Sequence, residues 1–121
     1  MKKIFFTAFI ITAMFSSGAA AQDNAEAGKI EFLISSVENL ENAVFIRNGT
    51  EHDSKEAGEH LRMKLRKAGS YINDADDFIE ICSSSYITGR PYFIKFSDGQ
   101  IIKAEKFFRK KLMEYNSGNP E

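Results

Sequence analysis

The sequence holds a single cysteine, Cys82, among its 121 residues, so no intramolecular disulfide can form. In an oxidising compartment the core must then hold by packing alone. Long hydrophobic runs are scarce as well. The most extended one covers Ile4 to Phe15 and stops at Ser16-Ser17-Gly18, short of the about 20 apolar residues of a spanning helix. An excess of one charge is lacking too, since 16 basic residues face 17 acidic ones for a net −1. That balance exerts no global pull on nucleic acid or anionic lipid, and nucleic acid is not an expected partner. Catalytic signatures are missing in turn: there is no Gly-x-Ser-x-Gly elbow and no local thiol-protease pattern, so motif support for the common hydrolases is absent.

The N-terminus, by contrast, has the three parts of an export signal. Met1-Lys2-Lys3 is positive, Ile4 to Phe15 is almost wholly apolar, and Ala19-Ala20-Ala21 offers a small-residue cleavage site. Residues 1–21 are therefore expected to be a signal peptide, cleaved near Ala21 to leave a mature chain from Gln22. No cysteine follows that site to carry a lipid, so the expected product is soluble, with no stable membrane anchor. Without Lys2 and Lys3 the net charge moves to about −3. Residues 22–121 suffice for one small domain, burying roughly 60 to 70% of the surface its unfolded chain exposes. Its expected ordered part is 30–115.

Within that body, Ile30, Leu33, Ile34, Val37 and Leu40 recur at helical spacing. Ala43 to Arg47 reads as an extended run closed by Asn48-Gly49, a pair suited to a tight hairpin turn, with Thr50 to His52 as a return strand. Asp53 followed by Glu56 resembles a capping box. Ala57, Leu61, Leu65, Ala68 and Ile72 then line a second helix. Phe78, Ile79 and Cys82 suit a short third helix, with Asp74, Asp76 and Asp77 at its positive end and Ser83-Ser84-Ser85 after it. Pro91 makes 86–91 a loop. Tyr92 to Phe96 and Gln100 to Lys103 form a hairpin through Asp98-Gly99, and a last helix runs from Lys103 or Ala104 to about Tyr115 on Phe108, Leu112 and Tyr115. The expected class is α+β: a small antiparallel sheet of two or three strands packed with about four helices.

Candidate chemistry is thin. Cys82 follows Phe78, Ile79 and Ile81, a setting in which cysteine acts as a small buried hydrophobe. His52 and His60 flank Glu56, but the cap places His52 before the helix and no further ligands complete a metal set, so neither metal nor cofactor is expected. A small hydrolase using His60 with Ser84 or Cys82 is the enzymatic alternative. The basic runs Arg62, Lys64, Arg66, Lys67 and Lys103, Lys106, Arg109, Lys110, Lys111 form an anion-binding face only if their helices lie side by side. Otherwise Lys55 with Glu59, Glu105 with Arg109 and Lys110 with Glu114 pair at four-residue spacing on a solvated face. Asn48-Gly49-Thr50 also matches the N-glycosylation pattern, which the tight turn explains without a sugar. Tyr86 and Phe107, if exposed, would make a dimer surface.

Two connections offer more. Arg47-Asn48-Gly49 and 84–90 bring Arg47, Asn48, His60, Ser85, Thr88 and Arg90 into play as candidate binding residues, since two arginines beside hydroxyls can hold a carboxylate or phosphate. The competing reading pairs Arg47 with an acid such as Glu59 and spends Ser85, Thr88 and His60 on loop backbone. The leading functional expectation is a non-enzymatic binding or adaptor module whose partner is an envelope protein, a peptide or a glycan.

The same segments carry a family likeness. Phe45-Ile46-Arg47-Asn48-Gly49, Glu56-Ala57, His60-Leu61-Arg62-x-Lys64-Leu65, Phe78-Ile79 and Ser83-Ser84-Ser85-x-Ile87-Thr88-Gly89-Arg90-Pro91-Tyr92 resemble the YfeK-like family of small exported bacterial proteins, over about residues 30–96. The resemblance implies a periplasmic bacterial protein with a domain of unknown function and brings no catalytic residue with it.

Overall fold

The computed structural model describes residues 24–118, so the expected signal peptide and its cleavage site lie outside the described residues. In chain order the elements are α1 (Asn24–Glu38), β1 (Val44–Arg47), β2 (Thr50–His52), α2 (Ser54–Ala68), a 3-10 turn (Gly69–Tyr71), α3 (Ala75–Cys82), β3 (Phe93–Lys95), β4 (Ile101–Lys103) and α4 (Ala104–Gly118). The architecture is α+β, but the sheet has four strands rather than two or three, in the order β2-β1-β3-β4 and antiparallel throughout. The fourth strand follows from turn chemistry. Asn48 and Gly49 adopt φ of 52° and 82°, the left-handed pair that a two-residue hairpin turn requires, which sets Arg47 opposite Thr50 and Phe45 opposite His52. The other edge of β1 pairs with β3, Phe45 facing Ile94, and so joins the two hairpins into one sheet.

Alternation along β1 and β3 sorts the faces. Phe45 and Ile94 are buried in the core beneath the helices, while Ile46 and Phe93, opposite each other in register, are only partly covered. Over the inner face, α1 packs against all three other helices. Its buried stripe is Ile30, Leu33, Ile34 and Val37, the i, i+3, i+4, i+7 spacing of one helix face. Within the described residues α1 reaches back to Asn24, and its first turn has a role: Glu26 Oε1 accepts from Ala75 N at 2.9 Å, capping α3 alongside Asp74, which accepts from Asp77 N.

The capping box is present. Asp53 Oδ1 accepts from Glu56 N at 2.8 Å, and Glu56 Oε1 from Asp53 N at 3.3 Å. The other end of α2 corrects the expectation that Ile72 continues its face. Gly69, at φ 52°, breaks the helix and donates to Leu65 O, so Ile72 reaches the core from an extended backbone beyond the turn. Phe107 is a second correction: it is 5% exposed, not a surface aromatic. α4 sits in the angle between helices and sheet, so Phe108 meets Phe78 edge-on at 5.6 Å while Phe107 lies 6.2 Å from Phe96. The β3–β4 turn spans Ser97-Asp98-Gly99, with Gly99 N donating to Phe96 O, a three-residue loop.

Charge pairing differs in part from the spacing argument. Arg109 reaches Glu105 at 3.9 Å but Asp76 of α3 at 2.6 Å, and Glu114 pairs with Lys111 rather than Lys110. Arg62, partly exposed, is paired on two sides. It donates to Glu31 through Nη1 and Nη2 and to Glu38 through Nε and Nη2, at 2.9 to 3.1 Å. One turn before it, Gly58 makes room for Glu38, since a Cβ there would stand 2.3 Å from Glu38 Cγ. Gly58 thus lets Glu38 lie flat across α2 and reach Arg62.

Replacing Gly58 by Ala should therefore destabilise the fold by about 1 to 2 kcal/mol, although helix propensity alone favours alanine by about 1 kcal/mol. In a Glu38→Ala background the same change should turn neutral or stabilising. Urea unfolding of the four proteins in this double-mutant cycle measures the coupling.

Candidate functional site

Two polar clusters meet near one end of the β1–β2 hairpin, and the six candidate residues divide between them. The outer cluster is the loop 84–90. Ser84 bridges Pro91, Ser85 N donates to Arg90 O at 2.9 Å, and Gly89 N donates to Ser85 O at 2.9 Å. Side chains finish the work: Ser85 Oγ accepts from Thr88 N, and Thr88 Oγ1 accepts from Arg90 N. Thr88 Oγ1 also donates to Asn48 Oδ1 at 2.9 Å, tying this loop to the hairpin turn. Ser85 and Thr88 therefore satisfy backbone, and Asn48 is the anchor that brings the two connections together. Arg90 remains exposed.

This pinned loop carries two apolar side chains into solvent. Tyr86 is 92% and Ile87 89% exposed. Where the end of this loop meets the β1–β2 turn, Ile46, Asn48, Gly49, Arg90, Pro91 and Phe93 line an open depression of about 180 Å³. Ile87 was missed as a candidate by reasoning from polar residues; the apolar pair between a serine and Gly89 in a turn-rich segment was its signal.

The inner cluster centres on Tyr92. Its hydroxyl lies 3.3 Å from His60 Nε2 and 3.4 Å from Lys64 Nζ, which also donates to Ser84 O at 2.8 Å and sits 5.3 Å over the Tyr92 ring. His60 and Lys64 are four residues apart on α2 and so share a stripe. Arg47 enters from β1. The expected pairing with Glu59 is not found: among the described residues Arg47 makes no ion pair, and its Nε is buried without a hydrogen-bond partner. Burial, then the charges of Arg47, Lys64 and His52, depress the His60 pKa from 6.5 to about 4. Burial likewise lowers Lys64 and raises Tyr92. The space enclosed by Arg47, His60, Cys82 and Tyr92 with Phe45 and Phe108 is about 10 Å³, room for one water at most.

Cys82 is fully buried, as expected, and burial pushes its thiol up to about 12. A thiolate does not form there near neutral pH. No hydrogen bond links His60 to Cys82 or to any of Ser83, Ser84 and Ser85 among the described residues, so the geometry lends the hydrolase alternative no support. Among the described residues no group of three or more histidines, cysteines and acids is placed to hold a metal ion, and no helix is long and apolar enough to cross a membrane.

Comparison with known proteins matches residues 24–116 to a family of unknown function, DUF5329. The chain belongs to that family. It is 36% identical over 94 residues to the uncharacterised protein YfeK of Salmonella typhimurium, covering 76% of this chain and 77% of that one. The likeness read from the short sequence blocks is therefore a likeness of most of the domain. No solved structure matches the chain.

The His60 environment gives a pH signature. A histidine whose folded pKa is lowered stays neutral in the native state while the unfolded chain takes up a proton, so stability is full above about 6.5 and is lost as pH falls toward about 4. After discounting for solvent screening, the loss should be about 1 to 2 kcal/mol. Urea midpoints at pH 7 and pH 4.5 should diverge more in the native sequence than in His60→Gln.

Proposed function

We propose that this domain is a non-enzymatic binding module of the bacterial envelope, working in the periplasm after cleavage near Ala21, and that it docks a partner protein or peptide through the 84–90 loop. The observation that carries this reading is Tyr86 and Ile87, two large apolar side chains held out in water by a loop with its own hydrogen-bond scaffold. Exposing them costs solvation and contributes nothing to the core, whereas a partner that covers them recovers that free energy. Because the loop is already ordered, docking loses little conformational entropy. The depression lined by Ile46, Pro91 and Phe93 adds a second apolar surface at the base of the loop, and Arg90 in its lining supplies a charge to orient an acidic or carbonyl-rich partner. Asn48 and Thr88 act by holding the platform.

Export is supported by the charged, apolar and small-residue sections of 1–21, and the absence of a following cysteine supports a soluble product. Mass spectrometry of protein recovered from the periplasm should find a chain beginning at Gln22. For the docking surface, a photo-reactive residue at position 87 should crosslink in cells to one discrete envelope protein. That product should vanish with Tyr86→Ser plus Arg90→Glu, while circular dichroism and the melting temperature of this doubly substituted protein stay close to native. A crosslink unaffected by these changes would exclude the loop as the contact.

A further inference from the structure

The cluster around Tyr92 holds positive charge that no acid answers. Arg47, Lys64 and His60 come from β1 and α2, with His52 of β2 close enough to act on His60 electrostatically. Arg47 and Lys64 are cations, and His60 is neutral near pH 7 with one donor and one acceptor nitrogen. Among the described residues none of Arg47, His60 and Lys64 pairs with a carboxylate: Glu56 is taken by Asp53 N and His52, and Glu59 is exposed. The neighbours Tyr92 and Cys82 keep their protons, so they add no negative charge. A guanidinium Nε buried without a partner is costly, and like charges beside it add repulsion. A site of this composition repels metal cations and attracts anions.

From this arrangement we propose that the cleft where Arg47, His60, Lys64 and Tyr92 converge binds a compact oxyanion, a phosphate or carboxylate group of a small ligand. Arg47 offers a planar fork of donors, and Lys64, held by Ser84 O and the Tyr92 hydroxyl, keeps a third ammonium hydrogen, while the Tyr92 hydroxyl and His60 Nε2 share one hydrogen between them. The space behind them admits no more than a water, so the anion sits at the mouth, on the partly exposed Arg47, His60 and Lys64, with the buried Tyr92 behind them. The site is separate from the Tyr86 and Ile87 tip. It lies one residue inward from the Asn48–Thr88 tie, since Arg47 precedes Asn48 and Ser84, held by Lys64, precedes Ser85. Either site can operate without the other.

The test uses the mature chain in low-salt buffer, titrated with inorganic phosphate, with acetate, and with chloride at matched ionic strength. Heat of binding and the His60 ring resonances are followed together. Phosphate or acetate should bind saturably at one site, raise the melting temperature and shift the His60 titration upward, because an anion offsets the neighbouring cations. Which of the two does so identifies the ligand group. Arg47→Gln should weaken that binding at least tenfold, and without ligand it should melt at a higher temperature than the native sequence, because an unpaired cation has been removed. Lys64→Gln should weaken binding at least fivefold and decides the matter if Arg47→Gln does not fold. Equal responses to chloride, no saturable response to either oxyanion, or unchanged affinity in the variant that folds would each overturn the proposal.

Discussion

Tyr92 is the residue on which the layout of this domain depends, because its backbone and its side chain tie together four elements that are distant in sequence. Its N–H donates to Ser83 O at the end of α3, and its carbonyl accepts from Ala104 N at the start of α4. Its hydroxyl meets His60 and Lys64 of α2, and its ring meets His60 edge-on at 5.8 Å. These contacts place the start of β3, and therefore its pairing with β1. A single aromatic residue thus converts two local hairpins and three helices into one sheet with a helical layer. The polar cleft follows from the same contacts, since a buried tyrosine needs a partner for its hydroxyl and finds basic ones.

The parts of this fold readable from sequence were those set by chemistry between near neighbours. Asp53 and Glu56 declare the start of α2, Asn48-Gly49 declares a tight turn, and the 3.6-residue rhythm of Ile30, Leu33, Ile34 and Val37 declares a buried stripe. What escaped is long-range or depends on packing direction. Nothing local in Phe45 or Ile94 says that β1 and β3 pair, so the four extended runs were not expected to join in one sheet. Ile72 kept step with α2 because burial, not helix, governs the apolar rhythm, while Gly69 had already turned the chain. Phe107 is buried beside Phe108 because α4 faces both sheet and helices, a two-sided environment that one helical wheel does not show.

The candidate site was legible in a similar way. The loop polar groups Ser85, Thr88 and Asn48 were found because short polar side chains in Gly-bearing turns have few other uses, and the structure spends two of them on backbone and the third on a tie between loops. Lys64 was read only as one member of a basic run, and Tyr92 only as the start of a strand. Each looks ordinary in sequence, a lysine on a helix and a tyrosine after a proline, and becomes a candidate only when folding brings them to His60.

A comparison within the molecule shows why the bare cations near Tyr92 are informative. Among the partly buried arginines, Arg47 and Arg62 make the sharpest contrast. Arg62 is saturated: Glu31 and Glu38 both accept from it, Gly58 clears space for one of them, and its guanidinium is held firmly protonated while the Glu31 carboxyl is held below its ordinary range. This is how a chain neutralises an arginine whose role is to join two helices. Arg47 receives none of this, although Glu51, Glu56 and Glu59 lie within a dozen residues of it. A guanidinium with one buried nitrogen lacking an acceptor, the Lys64 ammonium and the neutral His60 imidazole meet where a single glutamate would have relieved them. A purely structural demand at this place is met better by a neutral or paired side chain. Among the described residues, an unanswered charge here beside a fully answered one elsewhere is the contrast on which the proposed anion site rests.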